Sequence, residues 1–319
     1  ALFPQRTTLS GNNVVNFSDC SPRVGFSPSL LFYLGERLNL PQVSAFAQYQ
    51  YDLSPRGFGY NVRDMAWMPE KPYPGKWERE AHVYFTGMQW MVSRADAADE
   101  NSLILAVKGG NNGENHNQND VGNFIVHCGG ESLIVDLGAG AYTRDYFSSR
   151  RYEILVNSSW GHNVPMINNC QQPAGRQYAA QVVEHISSEA EDVLELELRA
   201  AYPREAKLES LRRRMSLHRN AQDGWVEITD RVRLSEKTGS YKCPLYTYGE
   251  VTLEGNGKLR IAGQKAAISV QYQPETATPI IEQVDPNETR YSRQTRRIVF
   301  DIPVKEGSGD LHLRILPSS

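Results

Sequence analysis

The chain has 319 residues, 40% of them hydrophobic, and a formal net charge of −3. That suits one large domain, or one domain with an appendage, around a sizeable core. The near-neutral balance carries no polyelectrolyte signature and so argues against a nucleic-acid partner. No run approaches the roughly 18 apolar residues a membrane-spanning helix needs.

The opening residues, Ala1-Leu2-Phe3-Pro4-Gln5-Arg6, lack the basic start and apolar centre of a secretory signal. Residues 1–25 mix turn formers with scattered apolar residues and read as coil packed on another part of the fold. Ser27-Pro28-Ser29 reads as a helix start, followed by Leu30, Leu31, Tyr33, Leu34 and Leu38 at helical spacing. A second short helix is expected from Pro41 through Ala45, Phe46 and Tyr49. Residues 55–75 are rich in Pro, Gly and aromatics and read as a linker, which divides the chain into residues 1–77 and 78–319.

From about Ala81 the signal is β. Short β-prone runs at 82–85 and 89–92 precede the apolar run 102–107 and a Gly- and Asn-rich loop at 109–113. Residues 193–198, 225–232, 267–272, 297–302 and 311–315 alternate apolar and polar side chains. That period of two places one face on a core and one in water. The fold class expected is mainly β, a large multilayered antiparallel β-sandwich with a short helical N-terminal segment. The four cysteines stand far apart without a CxxC pair, which argues against a thiolate zinc site and for buried free thiols.

Residues 115–169 carry most of the chemistry. His116 and His162 stand beside Asn, while His127 stands in an apolar run. Between them lie Asp120, Asp136, Tyr142, Tyr146, Tyr152 and the pair Arg150-Arg151. The apolar runs 124–126 and 133–135 flank a Gly-Gly turn, so the polar residues are expected at strand ends and on loops. Four other histidines (His82, His185, His218, His312), like His127, read as core or surface residues. Trp67, Trp77 and Trp90 read as packing. Trp160, two residues from His162, is also a candidate for stacking on a sugar ring. The basic run Arg212-Arg213-Arg214 reads as one solvated face. Asp120 and Asp136 leave a glycosidase-type carboxylate pair as a lesser reading.

The same stretch resembles the C-terminal domain of the heparinase II/III-like polysaccharide lyases. The resemblance rests on His116-Asn117-Gln118-Asn119-Asp120-Val121-Gly122-Asn123-Phe124, Asp136-Leu137-Gly138, Tyr142-Thr143, Arg151-Tyr152-Glu153 and His162-Asn163, in that order. One position departs from the pattern: Gln118 stands where the family has a second His. The resemblance implies a β-sandwich preceded by an α/α toroid. Residues 1–77 would be the toroid's last helices and linker, and the remaining toroid a missing partner domain. It also implies an enzyme that cleaves a uronic-acid polysaccharide, such as a glycosaminoglycan, by β-elimination. The alternative is a non-catalytic carbohydrate-binding or structural module.

Under the resemblance His116 and Tyr152 are the catalytic candidates, with Tyr142 and Tyr146 as competitors for the phenol. Arg150, Arg151, Tyr142 and Trp160 are candidate substrate contacts, although surface pairing of the arginines with Glu153 or Asp145 explains them as well. Family members hold a structural zinc, whose ligands would here be Gln118, Asp136 and His162. A Gln amide is a weak zinc ligand, which sets the metal in doubt. Without metal, Gln118 would bridge Asp136 and His162 by hydrogen bonds. His116, Tyr152, Asp136 and His162 are expected to converge on one exposed cleft. An acidic polysaccharide is the expected substrate partner, and a homodimer remains open. The substrate class favours the periplasm or the exterior over the cytoplasm.

Overall fold

The computed structural model describes residues 1–54, 62–221, 223–290 and 293–318. Among them the strands build two main antiparallel sheets, one of five strands and one of twelve. The five-stranded sheet runs His82–Phe85, Trp90–Arg94, Ile104–Lys108, Phe124–Cys128, Glu131–Ile134, each strand beside the next in sequence. The larger sheet holds the long strands Leu208–His218, Trp225–Leu234, Thr238–Thr247, Thr295–Lys305 and Ser308–Ser318. This is the mainly β sandwich that the alternating pattern predicts.

The principal core lies between the sheets. Leu105, Val107, Phe124 and Val126 of the small sheet face Leu211, Met215, Ile228, Leu245 and Ile298 of the large one. The small sheet is apolar on its other face too, where Trp90, Val92, Ile104, Ala106 and Ile125 pack against Leu9, Val15 and Phe17. That double burial explains why its central strands read as continuous apolar runs rather than alternating ones.

The segment covering that second face is more ordered than its composition suggests. Phe3–Thr7 is a short helix, and Thr8–Ser10 pairs with Asn13–Val14 around Gly11, whose φ is +52°. Helix Pro28–Arg37 begins at the expected cap, Ser27 Oγ accepting from the Leu30 amide at 3.4 Å, with Pro28 in the first turn. Pro41–Leu53 forms the second helix and packs closely on the first: a Cβ on Gly35 would lie 2.3 Å from Ser44 Oγ. Within the stretch read as linker, Val62–Trp67 is helical, and Trp67 stacks on Tyr33 at 4.6 Å; residues 55–61 lie outside the described residues. Trp77 and Trp90 are buried, against Phe46 and Phe17. No helix of the described residues is long and apolar enough to cross a membrane.

Candidate functional site

The motif residues gather where the small sheet's loops meet the turns that follow Ile134, in two levels. The lower level is buried. Lys108, the last residue of its strand, puts its ammonium on the Asp120 carboxylate, both wholly shielded from water. Asn123 Nδ2 donates to Asp136 Oδ2 at 2.5 Å, and the Gly138 amide donates to Asp136 Oδ1 at 2.6 Å. His162 turns Nδ1 to Asp136 Oδ2 at 3.1 Å. Burial alone would push the His162 imidazole down, but the Asp136 carboxylate outweighs it and the net shift is upward. Asn163 joins the splayed ends of two strands, its Nδ2 donating to the carbonyls of Phe124 and Val135 at 2.8 and 2.9 Å.

The upper level faces solvent. His116 has a left-handed backbone, φ +56°, which is uncommon for a residue with a Cβ and occurs often at functional sites. Its imidazole is 71% exposed, and Nδ1 meets Asp19 Oδ2 at 3.1 Å. A carboxylate only accepts, so Nδ1 carries the hydrogen, and in the neutral form of the ring the lone pair is on Nε2. Asp19 also accepts from Arg151 Nη2 at 2.9 Å and from the Tyr146 hydroxyl. Burial, then the hydrogen bond to Asp19, push the Tyr146 phenol well up, so it keeps its proton. Tyr152 is half-buried, its hydroxyl 3.5 Å from Asn117 Nδ2.

The expectation of one exposed cleft is therefore corrected. His116 and Tyr152 are at the surface, while Asp136 and His162 lie beneath, because Asp136 follows a strand buried between the sheets. The bridge expected of Gln118 is also corrected. Its Nε2 donates to the Gly138 carbonyl at 3.1 Å, and Asn123, not Gln118, stands on Asp136. Arg151 is spent within the protein, on Asp19 and on the carbonyls of Asn117 and Tyr146. Arg150 is exposed and pairs with Glu153 at 3.0 Å and Asp145 at 3.6 Å. Tyr142 is half exposed, beside Tyr146 at 5.0 Å between ring centroids. Trp160 lies under the Arg297 guanidinium at 4.5 Å. Residues 145–161 form a succession of 3-10 turns.

Two residues escaped the reading of the sequence. Asp19 sits in a stretch with no periodicity, and nothing in its neighbourhood marks it. Arg213 was legible in principle, since strict alternation along a strand turns the middle of three arginines inward. It is fully buried, paired with Asp230 at 2.7 and 2.6 Å, and Nη1 donates to the carbonyls of Gly122 and Asn163 at 2.9 and 2.7 Å. Only Arg212 and Arg214 lie on the outer face, against Glu195 and Glu184.

A family model described as heparinase II/III-like, C-terminal, matches residues 79–309. The chain belongs to this heparinase II/III-like family. Among solved structures the chain is similar to the heparan sulfate lyase HepC from Pedobacter heparinus, with TM-score 0.72 and 15% identity over 98% of this chain and 45% of that one. It is also similar to a heparinase III described as the BT4657 gene product, with TM-score 0.69 and 16% identity over 99% of this chain and 45% of that one. A further heparinase III gives TM-score 0.67 and 14% identity over 99% and 46%. At such identities the likeness establishes the fold, and the chain spans less than half the length of these lyases. No curated protein sequence matches the chain.

For this member of the heparinase II/III-like family the fit of a metal can be tested on the lower level. Asp120, Asp136 and His162 bring ligand atoms within 4.8 Å of one another. Gln118 Oε1 and His162 Nε2 are buried and lack a hydrogen-bond partner. The set fits a cation held by oxygen with a single nitrogen. It is poorer for zinc than a His-rich set, and the Lys108 ammonium on Asp120 already supplies one positive charge.

Proposed function

We propose that the chain is the C-terminal portion of a polysaccharide lyase that breaks a uronic-acid-containing polymer by β-elimination. The observation that carries this reading is the Asp19–His116 pair: an exposed imidazole whose far nitrogen is oriented by a carboxylate. In the reaction a base takes the proton at C5 of the uronate. The electron pair so released forms the C4–C5 double bond, the C4–O bond breaks, and the leaving oxygen takes a proton. No water is consumed. His116 Nε2 is the group we assign to proton transfer, with Asp19 fixing its tautomer and stabilising the imidazolium. Tyr152 is our choice for the phenol, because Tyr146 gives its hydroxyl to Asp19 and Tyr142 packs on aromatic neighbours.

Residues 1–77 are read as the end of the toroid and its linker. The remainder of that domain would supply further acid/base and carboxylate-neutralising groups. A metal, if bound, would be held by Asp136, His162 and Gln118 with Asp120 beside them. It would fix the motif loops and supply no step of the chemistry. Polymers of this class lie outside the cytoplasm, so a periplasmic or secreted protein is the matching location.

The test is ultraviolet absorbance of the conjugated product, on a panel of uronans including heparan sulfate. A protein carrying the toroid should release unsaturated product, and the 319-residue chain should do so weakly or not at all. Absence of product from the longer protein on every uronan, with retained binding, would favour the carbohydrate-binding alternative.

A further inference from the structure

Strands Lys258–Ala262, Ala267–Gln273 and Ser308–Ser318 lie side by side in the large sheet. Leu259, Val270, Tyr272, Leu313 and Ile315 of these strands belong to the core between the sheets. Alternation therefore turns Lys258, Gln271, Gln273, His312 and Arg314 to the outer face, away from the small sheet. None of them comes from the motif stretch. Register sets Lys258 opposite Gln271 and Gln271 opposite Arg314, so two cations flank one carboxamide. Two residues along, Gln273 stands opposite His312. With Glu275 these side chains help to line a recess of about 320 Å³, the low end of the range for small-molecule sites.

The polar groups of this recess are unspent. Among the described residues the side chains of Gln271, Gln273 and Glu275 make no hydrogen bond or ion pair. Arg314 lies over the Trp225 ring at 4.6 Å and has no ion pair among the described residues. Its Nε is shielded from water and lacks a hydrogen-bond partner. Glu227 is opposite Arg314 in register, yet it accepts from Trp225 Nε1 at 2.9 Å and faces His218 and His312 at 3.6 and 3.9 Å. Lys258 holds only Glu254, at 2.9 Å, an exposed pair of small worth. Two cations on either side of one strand match an acid group, and a guanidinium fork can meet both of its oxygens. Carboxamides both donate and accept, and a carboxylate accepts, which suits hydroxyl groups. The Glu275 charge makes a compact, multiply charged anion a poorer match.

We propose that the recess is a second saccharide site, which holds one uronate unit without cleaving it. Arg314 and Lys258 take the carboxylate, and Gln273 and Glu275 take ring hydroxyls. The recess and its unspent groups stand independently of the lyase reading; only the choice of a uronate among hydroxy acids rests on it. Placed on the sheet face turned away from the small sheet, the site tethers the polymer and leaves the His116 end free.

The experiment follows the Trp225 indole N–H by nuclear magnetic resonance, its signal assigned with Trp225→Phe, because that ring lies under Arg314. The 319-residue chain is titrated with desulfated heparan sulfate tetrasaccharides and with an uncharged glucan, and binding is measured in parallel by calorimetry. Expected is a saturable, salt-sensitive movement of the Trp225 signal with the acidic tetrasaccharides alone, kept in His116→Ala. Affinity read from that signal should fall about tenfold in Arg314→Gln, and also fall in Gln273→Ala, a change that leaves the Trp225 stack in place. Melting curves of each variant show that it is folded. Calorimetric binding with a still Trp225 signal overturns the recess and leaves the lyase reading standing. Equal response to the glucan, or unchanged affinity in both variants, overturns it as well. Absence of all binding overturns it too, while the lyase reading is decided separately by release of unsaturated product.

Discussion

Asp19 and His116 stand 97 positions apart in the chain, and their side chains meet at 3.1 Å. The carboxylate comes from the N-terminal segment and the imidazole from the motif loop, so neither alone defines the site. In a protein carrying the toroid, Asp19→Asn keeps the shape and removes the charge that orients the ring. A fall in kcat of about 10²- to 10⁴-fold is expected, as for other carboxylates that fix a catalytic imidazole. A melting curve that coincides with that of the unaltered protein, together with an altered kcat–pH profile, separates this from a structural defect. An unchanged profile with full activity would remove Asp19 from the mechanism.

Gln118→His should raise zinc affinity, because it adds a nitrogen donor to Asp136 and His162. The unaltered chain is expected to lose only a few degrees or less of melting temperature on chelation, since Asp136 is already held by Asn123, Gly138 and His162. Metal content by plasma emission, with melting curves with and without chelator, decides this. One tight zinc in the unaltered chain and a large chelator-induced drop would refute it.

Arg213 ties the two motif loops to Asp230. Replacing it with Met leaves Asp230 buried and unpaired and frees the carbonyls of Gly122 and Asn163. The expected loss is roughly 3–5 kcal/mol in urea unfolding, the range for breaking a buried ion pair. The double variant Arg213→Met/Asp230→Leu should recover part of it, and a loss below about 1 kcal/mol in the single variant would contradict the clamp.

His127 is buried between Ser10 Oγ at 2.7 Å and Ser132 Oγ at 3.1 Å, and burial pushes its pKa down to about 3. The unfolded chain, with its ordinary value near 6.5, takes up a proton first as pH falls. The stability this ring contributes is therefore full above about pH 6.5 and is lost progressively towards about pH 3, by up to roughly 4 kcal/mol. Unfolding titrations near neutrality and near pH 4.5 should show a smaller acid loss in His127→Gln than in the unaltered chain. Equal losses would mean the ring titrates normally.

The β class, both helix starts and the motif stretch were legible because each rests on local pattern: period two, proline and serine at a cap, polar residues between apolar runs. Asp19 was not, since a single acid in an aperiodic segment acquires meaning only when folding carries it to His116. The turns over residues 145–161 were not legible for a related reason. Arg151 ties them to the Asn117 carbonyl, a contact between distant residues that no period records. Gln118 was expected to bridge the lower level because of its place in the motif, but Asn123, one residue before the strand Phe124–Cys128, lies nearer to Asp136.

Leu9, Val15 and Phe17 cover a sheet whose strands begin only at His82. During synthesis these side chains leave the ribosome well before their seat exists. They must stay wetted, or be held by a chaperone, until the strand Phe124–Cys128 has emerged and Ile125 completes the seat. The hairpin carrying them therefore closes late, and Asp19, two residues beyond Phe17, arrives at His116 with it. Assembly of the site is thus coupled in time to completion of the fold.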